Sequence, residues 1–196
     1  MRASDLGAAD ALVTKFGYNR IVGMSALWMP GARMTDVLGN FHVPRILEIG
    51  TYQGITAAVL AEHADHLITL DFAPQPICGE VWDFFGARDK IEQVIVRDDS
   101  HKCEVVRNLN FDMAFIDGSH SRACVIFDFA ITKGCGCLLF HDYPCADPLD
   151  LQPKCGYRYY DYDVCSTSDG AGYLLDVIGP AGTVERHPPF AWWRAK

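Results

Sequence analysis

Short, almost wholly apolar runs alternate along this chain with longer amphipathic stretches. The run Arg45–Ile49, introduced by Pro44, suits a central strand of a parallel sheet, buried on both faces. Gly54–Glu62 then has the small and apolar residues of a packed helix. His66–Leu70 is the next strand and ends at Asp71, followed by a helix over Val81–Arg88 and a strand over Ile91–Val96. Ser100 can cap a helix reaching Leu109. Phe111–Ile116 is a strand ending at Asp117, and Arg122–Lys133 is a helix that Gly134 stops. Cys137–Phe140 is a strand ending at His141-Asp142. Strand and helix thus alternate through the middle of the chain. That predicts an α/β fold with a doubly wound, Rossmann-like sheet, mostly parallel, with helices on both faces.

The two ends of the chain are less regular. Ser4 and Asp5 can cap a helix running to Phe16, and a second helical pattern lies between Ala32 and Leu38. Met24, Leu27, Trp28 and Met29 lie between them, where they would cover a substrate or form a homodimer contact. Pro144–Thr167 is rich in Pro, Asp, Cys and Tyr, a composition that predicts a long loop. A helix over Ser168–Ile178, ended by Gly179-Pro180, and strands at Val184–His187 and Phe190–Trp193 close the chain. The expected organisation is one domain over 1–196. It has a helical cover at 1–41, a core at 42–142, and a loop with closing strands at 143–196.

Composition narrows the classes. Hydrophobic residues at 49% and charged residues at 21% are enough to build a packed core. The net charge of -8 disfavours a polyanionic partner, so no nucleic acid is expected. The start, MRASDLGAADALVTKFGYNR, lacks the apolar core of a signal peptide, and no run reaches the roughly 20 apolar residues of a membrane span. A cytoplasmic location follows as the expectation, and with it eight cysteines kept as free thiols. Cys135 and Cys137 are expected on one face of a strand, while Cys145, Cys155 and Cys165 share the loop.

The candidate chemistry sits at the strand ends, because ligands of a doubly wound sheet bind beyond the carboxyl ends of its strands. Those positions hold Gly50, Asp71, Asp98-Asp99-Ser100, Asp117 and His141-Asp142. Gly50-Thr51-Tyr52-Gln53-Gly54 lets the backbone turn tightly and approach a ligand. It lacks the G-x-G-x-x-G of dinucleotide sites and the Gly-Lys-Ser/Thr of phosphate loops. Asp71 is placed to accept from ribose hydroxyls. Asp117, His141 and Asp142, on adjacent strand ends, can reach one cation. His120 follows Asp117-Gly118-Ser119 at the mouth of the site, where an imidazole can take a proton from a hydroxyl.

LEIGTYQG resembles the first motif of class I S-adenosylmethionine-dependent methyltransferases, and LITLDF resembles their second. More narrowly, the chain is similar to the small, often metal-dependent O-methyltransferases of the catechol type and the sugar- and antibiotic-tailoring branch. Their motif E-x-G-x-Y-x-G-x-S/T is matched at Glu48, Gly50, Tyr52, Gly54 and Thr56. FDMAFIDGSH, CGCLLFHDY and the closing FAWWRAK carry the likeness over residues 42–196. The resemblance implies a C-terminal antiparallel strand and S-adenosylmethionine as cofactor. It places Glu48 near the methionine end, with Gly50, Thr51, Tyr52, Gly54 and Thr56 around the carboxypropyl chain. Asp71 would hold the ribose, Phe72 would lie beside the adenine, and Asp99 and Ser100 near its edge. In the metal-dependent relatives the positions of Asp117, His141 and Asp142 hold a divalent ion; His141 departs from the acid-acid or Asp-Asn pair usual there, so it is either a ligand or a base with no metal bound. Oxygen ligands there suit Mg²⁺ or Mn²⁺, while a histidine leans toward Mn²⁺, Zn²⁺ or Fe²⁺.

The expected reaction is methyl transfer to an oxygen of a small hydroxylated molecule, a sugar or phenol. Asp117, His120 and His141 carry the catalysis, and Tyr157, Tyr159, Tyr160 and Tyr162 shape the acceptor pocket. Two alternatives remain at this stage: a nicotinamide-dependent oxidoreductase, and a non-catalytic module that binds S-adenosylmethionine.

Overall fold

In β1 (Val43–Ile49), Ile46 and Leu47 are both buried, yet they join different apolar clusters. Successive strand residues point to opposite faces, so a strand covered on both sides must be apolar at consecutive positions. The same sorting separates Phe115 from Ala114 and Ile116, and Trp192 from Trp193. The structure of the protein is a computed structural model that describes residues 1–5, 7–17, 33–143 and 170–196. One cluster packs under α1 (Ala8–Phe16), α2 (Met34–Leu38), α3 (Ile55–Leu60) and α4 (Ile77–Phe85). The other packs under α5 (Asp99–Asn108), α6 (Arg122–Thr132) and α7 (Gly170–Gly172), which runs straight into a π-helical stretch, Tyr173–Ile178.

The remaining strands are β2 (Ala64–Asp71), β3 (Ile91–Ile95), β4 (Met113–Ile116), β5 (Cys137–Phe140), β6 (Thr183–His187) and β7 (Phe190–Arg194). They form one sheet in the order β3-β2-β1-β4-β5-β7-β6. Strands β1 to β5 are parallel, and β7 runs antiparallel to both β5 and β6. The expected Rossmann-like sheet with an antiparallel C-terminal strand is therefore present. The order of strands reverses between β1 and β4, which opens a crevice at their carboxyl ends. Among the described residues, no helix is long and apolar enough to cross a membrane.

Several boundaries differ from the sequence expectation. Helix α4 starts at Ile77 rather than Val81, because Pro76 has the right φ to open a helix. It stops at Gly86, in the left-handed region, and Arg88–Lys90 forms a separate 3-10 turn. Strand β4 begins at Met113 rather than Phe111. The Asp112 carboxylate accepts from the Arg45 amide at 2.9 Å, a place that a strand carbonyl would otherwise take. Helix α5 is capped by Asp98, not Ser100: Asp98 is extended, and its carboxylate accepts from the His101 amide at 2.8 Å. Cys135 is not on the strand with Cys137. It lies in a 3-10 turn, and Gly136 breaks the backbone between them. Cys78, Cys103, Cys124, Cys135 and Cys137 are free thiols. The predicted tyrosine-rich loop, with Cys145, Cys155 and Cys165, lies outside the described residues, as do Met24, Leu27, Trp28 and Met29.

Candidate active site

The sheet ladder extends one residue past β1, β4 and β5, and those residues carry the site. Gly50 donates its amide to Leu70, Asp117 donates to Ile49, and His141 donates to Ile116, at 2.9, 2.9 and 3.1 Å. The end residues are thus fixed by backbone bonds before any side chain acts. Gly50 has φ +102, and a Cβ there would lie 2.2 Å from the Asp117 carbonyl oxygen. Only glycine lets the turn after β1 lie this close to the end of β4. At the other end of the turn, the Gly54 carbonyl accepts from the Trp82 indole at 2.8 Å.

Asp71, at the end of β2, binds this turn from the side. One carboxylate oxygen accepts from the Thr51 and Tyr52 amides at 3.1 and 2.9 Å, and the other accepts from the Phe72 amide at 2.7 Å. A longer contact, 3.4 Å, reaches the Ala73 amide. Tyr52 has φ +43 and stands 53% exposed beside the 54% exposed Phe72. Beneath the turn Glu48 is fully buried. One of its oxygens accepts from the Thr69 hydroxyl, which also meets the Thr51 hydroxyl at 2.7 Å. The other oxygen, Oε1, has no partner. Burial pushes the Glu48 carboxyl well up, Thr69 opposes this, and the charges of Asp117 and Asp71 add to it. Thr56 is buried in the first turn of α3. Cys78 lies under the same turn and donates to the Tyr52 carbonyl at 3.1 Å. Burial, and then Glu48 and Asp71, push its thiol up to about 12.

The second half of the site joins β4 to β5. The ligand atoms of Asp117, His141 and Asp142 lie within 4.8 Å of one another. His141 Nδ1 is 2.8 Å from Asp117 Oδ1 and 3.3 Å from Asp142 Oδ1. The His141 ring packs against Phe115 and Phe190, which fixes its plane. Asp142 has φ +53, a conformation that turns its carboxylate back toward the other two groups. His120 completes the cluster, with Nδ1 2.6 Å from Asp142 Oδ2 and Nε2 3.7 Å from Asp117 Oδ1. Burial pulls the His120 imidazole down, but hydrogen bonds and charges from Asp117 and Asp142 outweigh it and hold it at about 10. Burial pushes Asp117 up, and the two imidazoles overcome it to hold it at about 2. Two carboxylates and two imidazoles therefore share one small polar pocket, closed on its apolar side by Val125, Phe140 and Ala171.

Asp99 and Ser100 are exposed in the first turn of α5, beyond the end of β3. The group that holds Asp99 leaves no sign in the sequence. Lys102, one turn on, is 4% exposed, and its ammonium lies 2.6 Å from Asp128 and 3.2 Å from Asp99. Burial pulls Lys102 down, but these two carboxylates carry it above its usual value. A lysine in the polar stretch DSHKCEVVRN gives no sign of burial. An aspartate in the apolar stretch VIFDFA did carry a signal, because such a position demands a partner.

Residues 47–143 match a family described as a methyltransferase domain. No curated protein sequence matches the chain. A caffeoyl-CoA O-methyltransferase candidate from Staphylococcus aureus superposes with a TM-score of 0.63 at 14% identity, covering 94% of this chain and 91% of that one. The methyltransferase PaMTH1 of Podospora anserina, bound to S-adenosylhomocysteine (SAH), gives 0.50 at 21% identity, covering 78% and 71%. MycE, a methyltransferase of the mycinamycin biosynthetic pathway solved with Mg and SAH, gives 0.50 at 17% identity. It covers 77% of this chain, which spans only 44% of MycE. At these identities the structures show a shared fold, and the family match shows that residues 47–143 are a methyltransferase domain.

Two outcomes follow from the turn after β1. Gly50→Ala should destabilise the protein by about 3 kcal/mol or more, because both the positive φ and the contact with Asp117 are violated. Chemical denaturation measures this, and a wild-type midpoint would show that the turn and β4 are not in contact. Cys78 should resist iodoacetamide in the native protein at about pH 8, because a buried thiol with so high a pKa offers almost no thiolate. Peptide mass spectrometry should find Cys103 and Cys124 labelled before Cys78. Equal labelling of Cys78 before denaturation would contradict the packing described.

Proposed function

We propose that this S-adenosylmethionine-dependent methyltransferase methylates an oxygen of a small hydroxylated acceptor, with a divalent cation at the ends of β4 and β5. The observation that carries this reading is the convergence of Asp117, His141 and Asp142 next to the glycine turn. The residues fit both groups. On the cofactor side, the turn is built around glycines that tolerate no side chain, and buried Glu48 Oε1 is an acceptor awaiting a donor. On the metal side, two carboxylates and one imidazole form a hard, oxygen-rich donor set with one nitrogen, suited to Mg²⁺, Mn²⁺ or Zn²⁺.

Each residue then has a defined task. Gly50, Thr51, Tyr52, Gly54 and Thr56 form the walls along the methionine chain, and Glu48 accepts from its ammonium. Asp71 accepts from the ribose hydroxyls, for which the long Ala73 contact leaves room. Phe72 offers a flat apolar face to the adenine, with Asp99 and Ser100 at its edge. S-adenosylmethionine brings an electrophilic methyl group on a sulfonium. A divalent cation held by Asp117, His141 and Asp142 would lower the pKa of the acceptor hydroxyl. His120 stands at the open side of the cluster, within reach of a hydroxyl that approaches Asp117 and Asp142. It accepts the hydroxyl proton, and Asp142 orients its ring. A base must be neutral beforehand, and a cation held by Asp117 and Asp142 would offset the carboxylate charge that keeps the His120 imidazole protonated. Fixing the acceptor oxygen in line with the methyl group supplies much of the rate.

Radiolabelled methyl transfer to a panel of catechols and sugars tests the reading. With an acceptor found, EDTA should abolish turnover, and Mg²⁺ or Mn²⁺ should restore it. Turnover that is indifferent to EDTA would remove the metal from the proposal. His120→Ala should lower kcat by about 10²- to 10⁴-fold, the usual share of a general base, with little change in SAH affinity. A kcat within twofold of wild type would take the base role away from His120.

A further inference from the structure

We infer that Lys102, anchored by Asp128, is a positioning residue for the adenine end of the cofactor site and sets its preference for a 6-amino purine. The inference deepens the cofactor reading above and rests on it. Its basis is one buried ammonium that touches groups from three separate elements. Lys102 Nζ lies 2.6 Å from Asp128 on α6 and 3.2 Å from Asp99 at the start of α5. It also lies 5.3 Å from the ring centre of Phe72, just past β2, and 5.1 Å from that of Phe127 on α6. Phe72 and Asp99 come from neighbouring strand ends and otherwise stand in solvent.

The pair is hard to explain as a stability element. Lysine and aspartate are among the residues least often buried, and here they are 4% and 1% exposed. Asp128 Oδ2 has no partner, so the pair is not even fully satisfied. Apolar residues of similar volume often replace such a buried pair with no loss of stability. What apolar residues could not do is grip the Asp99 carboxylate and hold one face of Phe72 by a cation–π contact. Gripped in this way, Phe72 presents its remaining surface as a stacking platform. Asp99, bound to Lys102 through Oδ1, keeps its second oxygen for a ligand. An ionised carboxylate only accepts hydrogen bonds, so it favours the exocyclic amine of adenine and repels the 6-oxo group of hypoxanthine.

The test compares SAH with S-inosylhomocysteine, its 6-oxo counterpart, by calorimetry on the full chain. Wild type should prefer SAH by about tenfold or more, the discrimination one charge-assisted hydrogen bond provides. Lys102→Met should weaken SAH binding by about tenfold to a hundredfold, as loss of a stacked base does, and bring the two affinities together. Lys102→Arg should recover part of the preference. Mn²⁺ affinity, measured by electron paramagnetic resonance, should stay within about twofold of wild type, because the cation cluster does not touch Lys102. Lys102→Met/Asp128→Leu, which leaves no buried charge, carries the test if the single variant fails to fold. A folded double variant with wild-type SAH affinity and preference would overturn the inference. Wild-type protein that binds neither nucleoside would instead overturn the cofactor reading beneath it.

Discussion

The turn after β1 and the end of β4 are in backbone contact, and the site depends on it. A single methyl group at Gly50 would sit 2.2 Å from the Asp117 carbonyl oxygen. That closeness arises where the strand order reverses, because two adjacent parallel strands there send their chains to opposite faces. A crevice opens between the departing chains, and its two walls are the glycine turn and the Asp117 segment. Remove the contact and the glycine turn would separate from the acid–imidazole cluster. The ladder bonds from Gly50, Asp117 and His141 carry the same rigidity across four strands, β2, β1, β4 and β5.

The two halves differ in their electrostatics. Around the glycine turn the acids are held by neutral donors: Asp71 by backbone amides and Glu48 by a threonine hydroxyl. Such a half suits a ligand that brings hydroxyls and one ammonium. Around Asp117 the acids are paired with imidazoles, and the shifts are large in both directions. Groups whose proton affinities are pushed apart at one cleft mark a place where protons or cations are handled. The glycine turn and the acid–imidazole cluster are therefore chemically distinct walls of one crevice.

Buried charge is the costliest material in this fold, and among the described residues it gathers near the strand-end crevice. Glu48, Asp128, Lys102 and His141 are all buried, and each lies within or directly beneath the strand-end crevice. The two apolar clusters fill the rest of both sheet faces.

Much of this was legible in the sequence. The alternation of apolar runs and amphipathic stretches gave the parallel sheet, because a strand buried on both faces has to be apolar at consecutive positions. Glycine and acid at successive strand ends marked the crevice, because topology brings every carboxyl end of a parallel sheet to one edge. The motif around Glu48, Gly50, Tyr52, Gly54 and Thr56 pointed to the cofactor before any contact was known. Tertiary structure alone decided the rest. It showed that Gly50 is required by the backbone of Asp117, 67 positions along the chain. It moved the α5 cap from Ser100 to Asp98, since a cap is chosen by φ and reach as well as by residue type. It also joined Lys102 to Asp128, Asp99 and Phe72. Local pattern records which face a residue favours, whereas a buried charge is fixed by partners that only folding brings near.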